Sequence, residues 1–152
     1  SKGRARPQHV SNIIAQEAAY GLMTKETYNR WDFTVRLNVG TLVQAIARYR
    51  AEGYVIVGYG AAAKGMTLLN FANIVPDFII DDSPLKQGKF TPGTSCPIVS
   101  IEHLDQYAES DKLLFMPLAW NFFTEISNKI KQARSNPNDR FIKYFPKVTI
   151  TE

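Results

Sequence analysis

One stretch of the chain governs its predicted architecture: Val55-Ile56-Val57-Gly58-Tyr59-Gly60-Ala61-Ala62-Ala63-Lys64-Gly65. Its apolar start is typical of a buried strand, and a helical pattern follows over 64–71. The turn between them fits the relaxed dinucleotide-binding pattern Gly58-x-Gly60-x-x-Ala63, in which glycines permit a tight turn and the helix N-terminus offers N–H groups to phosphate. The alternative is that the glycines only let the helix and the strand pack closely.

Short apolar runs alternate with helical patterns through the rest of the chain. This alternation predicts an α/β fold, a Rossmann-like parallel sheet of about five strands in the order 3-2-1-4-5. The predicted strands cover 54–58, 78–80, 97–99, 113–116 and 141–145, and 148–150 is a candidate for a further one. We also predict helices over 101–107, capped by Ser100, and over 122–133, capped by Asn121.

The first third of the chain reads as helix. We predict one helix over 9–23, which Gly21 ends or weakens, and a longer one that is capped by Thr24 and ends at Gly53. The longer helix carries an apolar stripe, which indicates packing against a sheet or a partner chain. The members of that stripe are Tyr28, Trp31, Val35, Val39, Leu42, Ile46 and Tyr49. We therefore expect 1–53 to form an N-terminal helical segment packed on a Rossmann-like domain over 54–152, as one structural unit.

Composition narrows the class of protein. The chain has 152 residues, of which 45% are hydrophobic and 21% charged, as in one folded soluble domain. The formal charge is +4, but Lys2, Arg4 and Arg6 supply three of these charges from a terminus that we expect to be frayed. One cysteine and no apolar run of roughly 18 residues favour a cytoplasmic protein without a membrane anchor. We expect neither nucleic acid nor membrane as a partner.

Two further segments are candidates for the same ligand crevice as the glycine turn. Asp81 follows the second predicted strand, where a carboxylate can accept hydrogen bonds from ribose hydroxyls. The alternative is that Asp81 and Asp82 only cap a loop. The long loop 81–96 has two prolines and two glycines, and we expect it either to bind something or to be disordered. In the predicted strand order the first and fourth strands are neighbours, so Trp120 and Asn121, which follow the fourth strand, should face the glycine turn across the crevice. Trp120 could then stack on a ligand and Asn121 could offer it a polar group. The alternative is that Trp120 is a core residue and Asn121 a helix cap.

Residues for catalysis are not recognisable. His9 and His103 lack a partner at metal-ligand spacing, no nucleophile motif is present, and Cys96 is predicted to be a buried small residue. Lys64 precedes Gly65, so the glycine turn is not a P-loop. The sequence thus predicts a phosphate-binding site and no catalytic acid, base or nucleophile.

Three segments resemble the signature blocks of one family, in the same order. They are 58–70 (GYGAAAKGMTLLN), 81–94 (DDSPLKQGKFTPGT) and 118–122 (LAWNF) with Glu125 and Ile126. This pattern is similar to the C-terminal domain of the SAM-dependent C-methyltransferases that act on nucleotide-linked deoxysugars. The resemblance covers about 11–144, although this chain has Ala62 and Met66 where family members often have proline and asparagine.

The resemblance implies a function for the domain. Members of this family have an N-terminal zinc-binding lobe, a central SAM-binding domain with the catalytic residues, and this C-terminal domain. We therefore expect a nucleotide-sugar as ligand, the missing N-terminal catalytic portion as partner, SAM in the full-length enzyme only, and no cofactor on this domain. A non-catalytic interaction module and an NAD-binding dehydrogenase-like domain are the alternatives.

The expected binding residues lie in the predicted crevice and in the loop 81–96, where the resemblance adds Lys86, Gln87 and Lys89. They are Gly58, Tyr59, Gly60, Ala61, Lys64, Gly65, Asp81, Lys86, Gln87, Lys89, Trp120 and Asn121.

Overall fold

The computed structural model describes residues 7–152, so the predicted fraying at Lys2, Arg4 and Arg6 lies outside the described part. The chain divides into two compact units, Ser1–Leu37 and Asn38–Glu152. The division falls inside the long second helix, which contributes to both units.

The N-terminal unit is helical. Helix α1 spans Gln8–Ala19 and ends earlier than the predicted 9–23, because the chain turns at Gly21, whose φ is +74°. The hydroxyl of Thr24 donates to the carbonyl of Gly21 at 2.8 Å and closes this turn. Helix α2, Lys25–Ala51, begins at the next residue, as the sequence predicts.

A six-stranded sheet is the frame of the second unit. Its strands are β1 Val55–Tyr59, β2 Phe78–Ile80, β3 Ile98–Val99, β4 Leu113–Pro117, β5 Arg140–Lys143 and β6 Thr149–Thr151. The order is β3-β2-β1-β4-β5-β6, and the first five strands are parallel. The predicted α/β class and the order 3-2-1-4-5 are confirmed. Strand β6 is antiparallel to β5, because the connection between them is too short for a crossover.

The helical connections differ from the prediction in detail. Helix α3, Ala63–Ala72, follows β1 as expected, whereas Ile101–Gln106 forms a 3₁₀-helix without a side-chain cap from Ser100. The prediction that Asn121 caps the helix after β4 is wrong. The chain first tightens into a 3₁₀ turn at Trp120–Phe122, in which the Phe122 N–H donates to the Ala119 carbonyl, and helix α4 then spans Phe123–Ala133.

Two buried clusters cover the faces of the sheet. One contains Leu42, Ile46 and Tyr49 of α2 with Leu69 of α3, and the other contains Ile126 and Ile130 of α4. The predicted stripe of α2 is therefore core from Leu42 onward, with exposures of 1–7%. Fully burying each such side chain contributes about 1.5–3 kcal/mol, which holds α2 and α3 on one face. Among residues 7–152, no helix is long and apolar enough to cross a membrane.

Candidate functional site

The carboxyl ends of β1, β2 and β4 meet at one edge of the sheet. Strand β1 pairs with β2 on one side and with β4 on the other, so the strand order reverses at β1. In open α/β sheets, ligands bind outside the carboxyl ends of the strands at such a switch point. The three segments that the sequence singled out all lie here.

The glycine turn leads from β1 into α3. Gly60 has a φ of +90°, its N–H donates to the Ile80 carbonyl at 2.7 Å, and a Cβ at this position would meet nothing within 4 Å. No side chain caps α3 at Ala62. The N–H groups of its first turn are therefore donors that a ligand can use.

The other two glycines of the turn are packing residues. A Cβ at Gly65 would lie 2.7 Å from the Cβ of Leu118, and one at Gly58 would lie 2.9 Å from Cγ1 of Ile79. Both distances are shorter than van der Waals contact. The close-packing alternative thus describes Gly58 and Gly65, while Gly60 makes the turn.

Asp81 joins the glycine turn to the following loop. The residue is 6% exposed, and its carboxylate accepts from the N–H of Ala61 at 2.7 Å, the N–H of Ser83 at 2.9 Å and Nζ of Lys86 at 2.9 Å. Lys86 also donates to the Ala61 carbonyl, and Gln87 donates to the Asp81 carbonyl. Internal contacts thus occupy most of the hydrogen-bonding capacity of the Asp81 carboxylate and the Lys86 ammonium, and one N–H of the Gln87 amide.

The loop 81–96 is folded by its own contacts. Asn70 of α3 donates to the Pro92 carbonyl at 3.2 Å, and Gly93 lies so close to the Asn70 amide that no Cβ could fit. The hydroxyls of Thr91 and Thr94 are 2.6 Å apart. These contacts attach the second signature segment to the first.

Two lysines among the predicted binding residues remain available, Lys64 in the first turn of α3 and Lys89 in the loop 81–96. The side chains of Lys64 and Lys89 are exposed and make no hydrogen bond or ion pair within 7–152. They are the cations of the predicted site that an anionic ligand can recruit without breaking an internal contact.

A cavity of about 270 Å³ opens at the switch point, and we call it the crevice cavity. Its walls come from the end of β1, the end of β2 and the start of α4. They consist of Tyr59, Gly60, Asp81, Asp82, Phe122, Glu125 and Ile126.

Tyr59, Asp82 and Lys129 form a hydrogen-bonded network beside this cavity. The Tyr59 hydroxyl donates to Oδ1 of Asp82 at 2.8 Å, and Nζ of Lys129 lies 2.6 Å from the same oxygen. Partial burial opposes ionisation of Asp82, but the bonds from Lys129 and Tyr59 lower its pKa below the ordinary value. The bond to Asp82 raises the pKa of Lys129, and burial raises that of Tyr59.

Sequence reasoning did not identify Phe122, Glu125 and Lys129 as site residues. Glu125 and Lys129 are four residues apart on one face of α4, and Phe122 lies in the 3₁₀ turn just before its start. That periodicity was the available signal. It could be used only once the switch point placed the start of α4 at the crevice.

Trp120 and Asn121 line a neighbouring cavity of about 250 Å³. The Trp120 ring packs 4.3 Å from the ring of Phe145 and against a buried cluster, while Asn121 is exposed. This cavity shares Phe122 and Glu125 with the crevice cavity. The two form adjoining parts of one surface.

The remaining reactive side chains lie elsewhere. His103 packs edge-on against Phe78 with ring centroids 4.7 Å apart. Cys96 is buried as predicted, and burial together with Asp77 raises its thiol pKa to about 11. Within 7–152, no group of three His, Cys, Asp or Glu side chains could hold a metal ion.

The mostly parallel sheet, the glycine turn and the crevice at the switch point define a Rossmann-like domain with a candidate ligand site at its sheet edge. Residues 1–146 match the model of a family described as the C-methyltransferase C-terminal domain, and the chain belongs to this family.

A curated relative is similar over most of the chain. The C-methyltransferase NovU of Streptomyces niveus is 34% identical over 143 residues, which cover 90% of this chain and 32% of that protein. The chain thus spans about a third of the length of the relative that it matches.

Proposed function

We propose that this domain binds the nucleotide-linked deoxysugar acceptor of a SAM-dependent C-methyltransferase and leaves the methyl transfer to the rest of the enzyme. The observation that carries the proposal is the crevice at the switch point, beside the uncapped N-terminus of α3, in a chain of this family. The acceptor side of the reaction needs a site for phosphates and for a sugar, and this edge offers both.

The phosphates would bind at the glycine turn. Gly60 leaves its backbone open to close approach, and the first turn of α3 supplies N–H groups with a partial positive charge. Lys64 in that turn adds a full positive charge, and Lys89 adds a second from the loop. Such charge-assisted hydrogen bonds are about twice as strong as neutral ones.

The chemistry would lie outside this chain. Removing a proton from the sugar carbon requires a base within hydrogen-bonding reach of that carbon. The family resemblance implies that this base lies in the central domain, and neither His103 nor Cys96 lines the crevice cavity. In a dinucleotide-like mode, Asp81 would bind the ribose of SAM. Its carboxylate already accepts hydrogen bonds from Ala61, Ser83 and Lys86. We therefore assign SAM binding to the preceding part of the polypeptide.

Calorimetric titration tests the proposal. We expect thymidine diphosphate and its sugar conjugates to release or absorb heat, and SAM and NAD to bind weakly or not at all. Lys64→Ala should weaken nucleotide binding about tenfold, because it removes a charged partner of the phosphates. Lys131→Ala, at the far end of α4, is the matched control and should bind like the wild type. Absence of heat with every nucleotide would refute the proposal.

A second role is favoured by the surface of the N-terminal unit. Several large apolar side chains of this unit are about half exposed or more. They are Ile13, Tyr20, Met23, Tyr28, Trp31, Phe33 and Val35. Large exposed apolar side chains, when they cluster, mark protein interfaces. We propose that it docks the rest of the methyltransferase polypeptide, since the relative is about three times as long as the match.

Docking is tested by mixing the chain with the separately expressed remainder of the enzyme. Trp31→Glu and Phe33→Glu should abolish co-elution in size exclusion while nucleotide binding is unchanged. Glu26→Lys, a charge change in the same helix, is the control for nonspecific effects. Co-elution that survives both glutamate substitutions would refute the docking role.

A further inference from the structure

We infer that the crevice cavity binds a hydroxylated ring of the ligand, with Asp82 and Glu125 accepting from its hydroxyls and Phe122 as its apolar wall. This inference rests on the proposed function and adds the specificity of the site. It assigns roles to Asp82, Glu125 and Phe122, which are not among the binding residues expected from the sequence.

Asp82 is held as an ionised acceptor with one oxygen to spare. Tyr59 and Lys129 both contact Oδ1, and Oδ2 accepts no hydrogen bond from residues 7–152. The two partners fix the orientation of the carboxylate. A ligand hydroxyl can therefore donate to Oδ2 without displacing any internal bond.

Glu125 supplies a second acceptor on the opposite wall. It is exposed, makes no hydrogen bond or ion pair within 7–152, and lines both cavities. Two carboxylates repel a phosphate but accept from neutral hydroxyls. The cavity is thus suited to the uncharged part of a ligand whose phosphates lie at the glycine turn, beyond Gly60.

Phe122 fixes the size of what can enter. Its ring is 53% exposed and separates the crevice cavity, about 270 Å³, from the neighbouring cavity of about 250 Å³. Sites for drug-sized ligands measure about 300–1,000 Å³, so each cavity suits a single ring. A ligand with a second ring would cross Phe122 into the cavity beside Trp120.

Three probes distinguish the ring of the nucleoside from that of the transferred sugar. They are thymidine diphosphate, a hexose 1-phosphate and thymidine diphosphate glucose, each titrated into the full 152-residue chain. Glu125→Gln should weaken the probe whose ring occupies the cavity about fivefold, because a charge-assisted bond becomes a neutral one. An effect on both thymidine-bearing probes that spares the hexose 1-phosphate assigns the nucleoside ring. An effect confined to the sugar-bearing probes assigns the sugar.

Inorganic pyrophosphate is the counter-probe. Its binding should stay the same or tighten in Glu125→Gln, because the variant removes a repelling charge. Phe122→Ala should weaken the same ring-bearing probe about fivefold, and Phe122→Tyr should restore it. Glu109→Gln, which lies outside both cavities, is the control.

The outcomes separate this inference from the proposed function. If Lys64→Ala weakens nucleotide binding while Glu125→Gln and Phe122→Ala bind every probe like the wild type, the phosphate site stands and the ring site is refuted. If no probe binds the wild type, both are refuted.

Discussion

The Asp81 carboxylate at the candidate site is occupied mainly by internal contacts. Its carboxylate accepts from two backbone N–H groups and from Lys86, so it holds the glycine turn and the loop together. The sequence placed Asp81 at the crevice through its position after β2. It could not tell that Ala61, Ser83 and Lys86 would fill that carboxylate, because these partners are set by the folded turn and loop.

Asp81→Asn should destabilise the fold by about 2–3 kcal/mol, since it replaces a buried charged acceptor by an amide that leaves at least one donor unsatisfied. Urea unfolding measures the loss. Asp105→Asn is the control, because Asp105 is exposed and should change stability by less than about 0.5 kcal/mol. Equal stability of the two variants would show that Asp81 does not hold the turn.

The pKa of Asp82 reports directly on the network at the crevice. Lys129 and Tyr59 lower this pKa below its usual 3.8. In Lys129→Ala the pKa should rise, which NMR titration of the carboxyl carbon measures. A carboxyl pKa unchanged by the substitution would contradict the contact between Lys129 and Asp82.

The same contact predicts the sign of a pH effect on stability. A lowered carboxyl pKa stabilises the fold above pH 3.8, and this contribution is lost as the pH falls through the pKa of the folded state. The difference between wild type and Lys129→Ala should therefore vanish in acid. At neutral pH it should stay below about 1 kcal/mol, because both side chains are half exposed.

At the scale of elements, the position of α3 depends on a glycine that has no side chain at a close contact. Gly65 lets α3 approach Leu118 after β4, and a Cβ there would lie 2.7 Å from the Cβ of that residue. Gly65→Ala should cost about 1–3 kcal/mol by overpacking. Gly40→Ala in α2, where a Cβ meets nothing within 4 Å, should instead stabilise by about 0.5–1 kcal/mol. Thermal unfolding of both variants checks the opposite signs.

Elements with a strong pattern were predictable, and those that depend on distant partners were not. The runs of β1, β2 and β4 are apolar because both faces are buried, so their existence and order follow from the alternation. The sequence did not predict the 3₁₀ turn before α4. A 3₁₀ turn has i→i+3 hydrogen bonds and an α-helix has i→i+4 bonds, and residue composition does not distinguish the two.

The apolar stripe of α2 shows a second limit of sequence patterns. Periodicity predicts which side chains share a face, but not how much of that face is covered. Leu42 and Ile46 are buried, whereas Tyr28 and Trp31 are about half exposed on the same stripe.

For the whole molecule, the three signature segments gain their meaning from contacts between them. Asn70 of the first binds the Pro92 carbonyl of the second, and Leu118 of the third donates to the Tyr59 carbonyl of the first at 2.8 Å. Because parallel strands end at one edge, segments 20–60 residues apart in sequence build a single crevice. The segments that resemble the family are therefore the ones that build this edge of the sheet.

A division of labour within the enzyme gives the last prediction. The 152-residue chain alone should form no methylated product from SAM and a keto-deoxysugar nucleotide, because we propose that SAM and the catalytic base are held by the rest of the enzyme, and the chain spans about a third of the relative's length. Product is measured by mass spectrometry. Adding the separately expressed remainder of the enzyme should restore methylation, and Lys64→Ala in this chain should then raise the KM for the sugar nucleotide more than it lowers kcat. Methylation by the isolated chain would place the chemistry here and overturn this assignment.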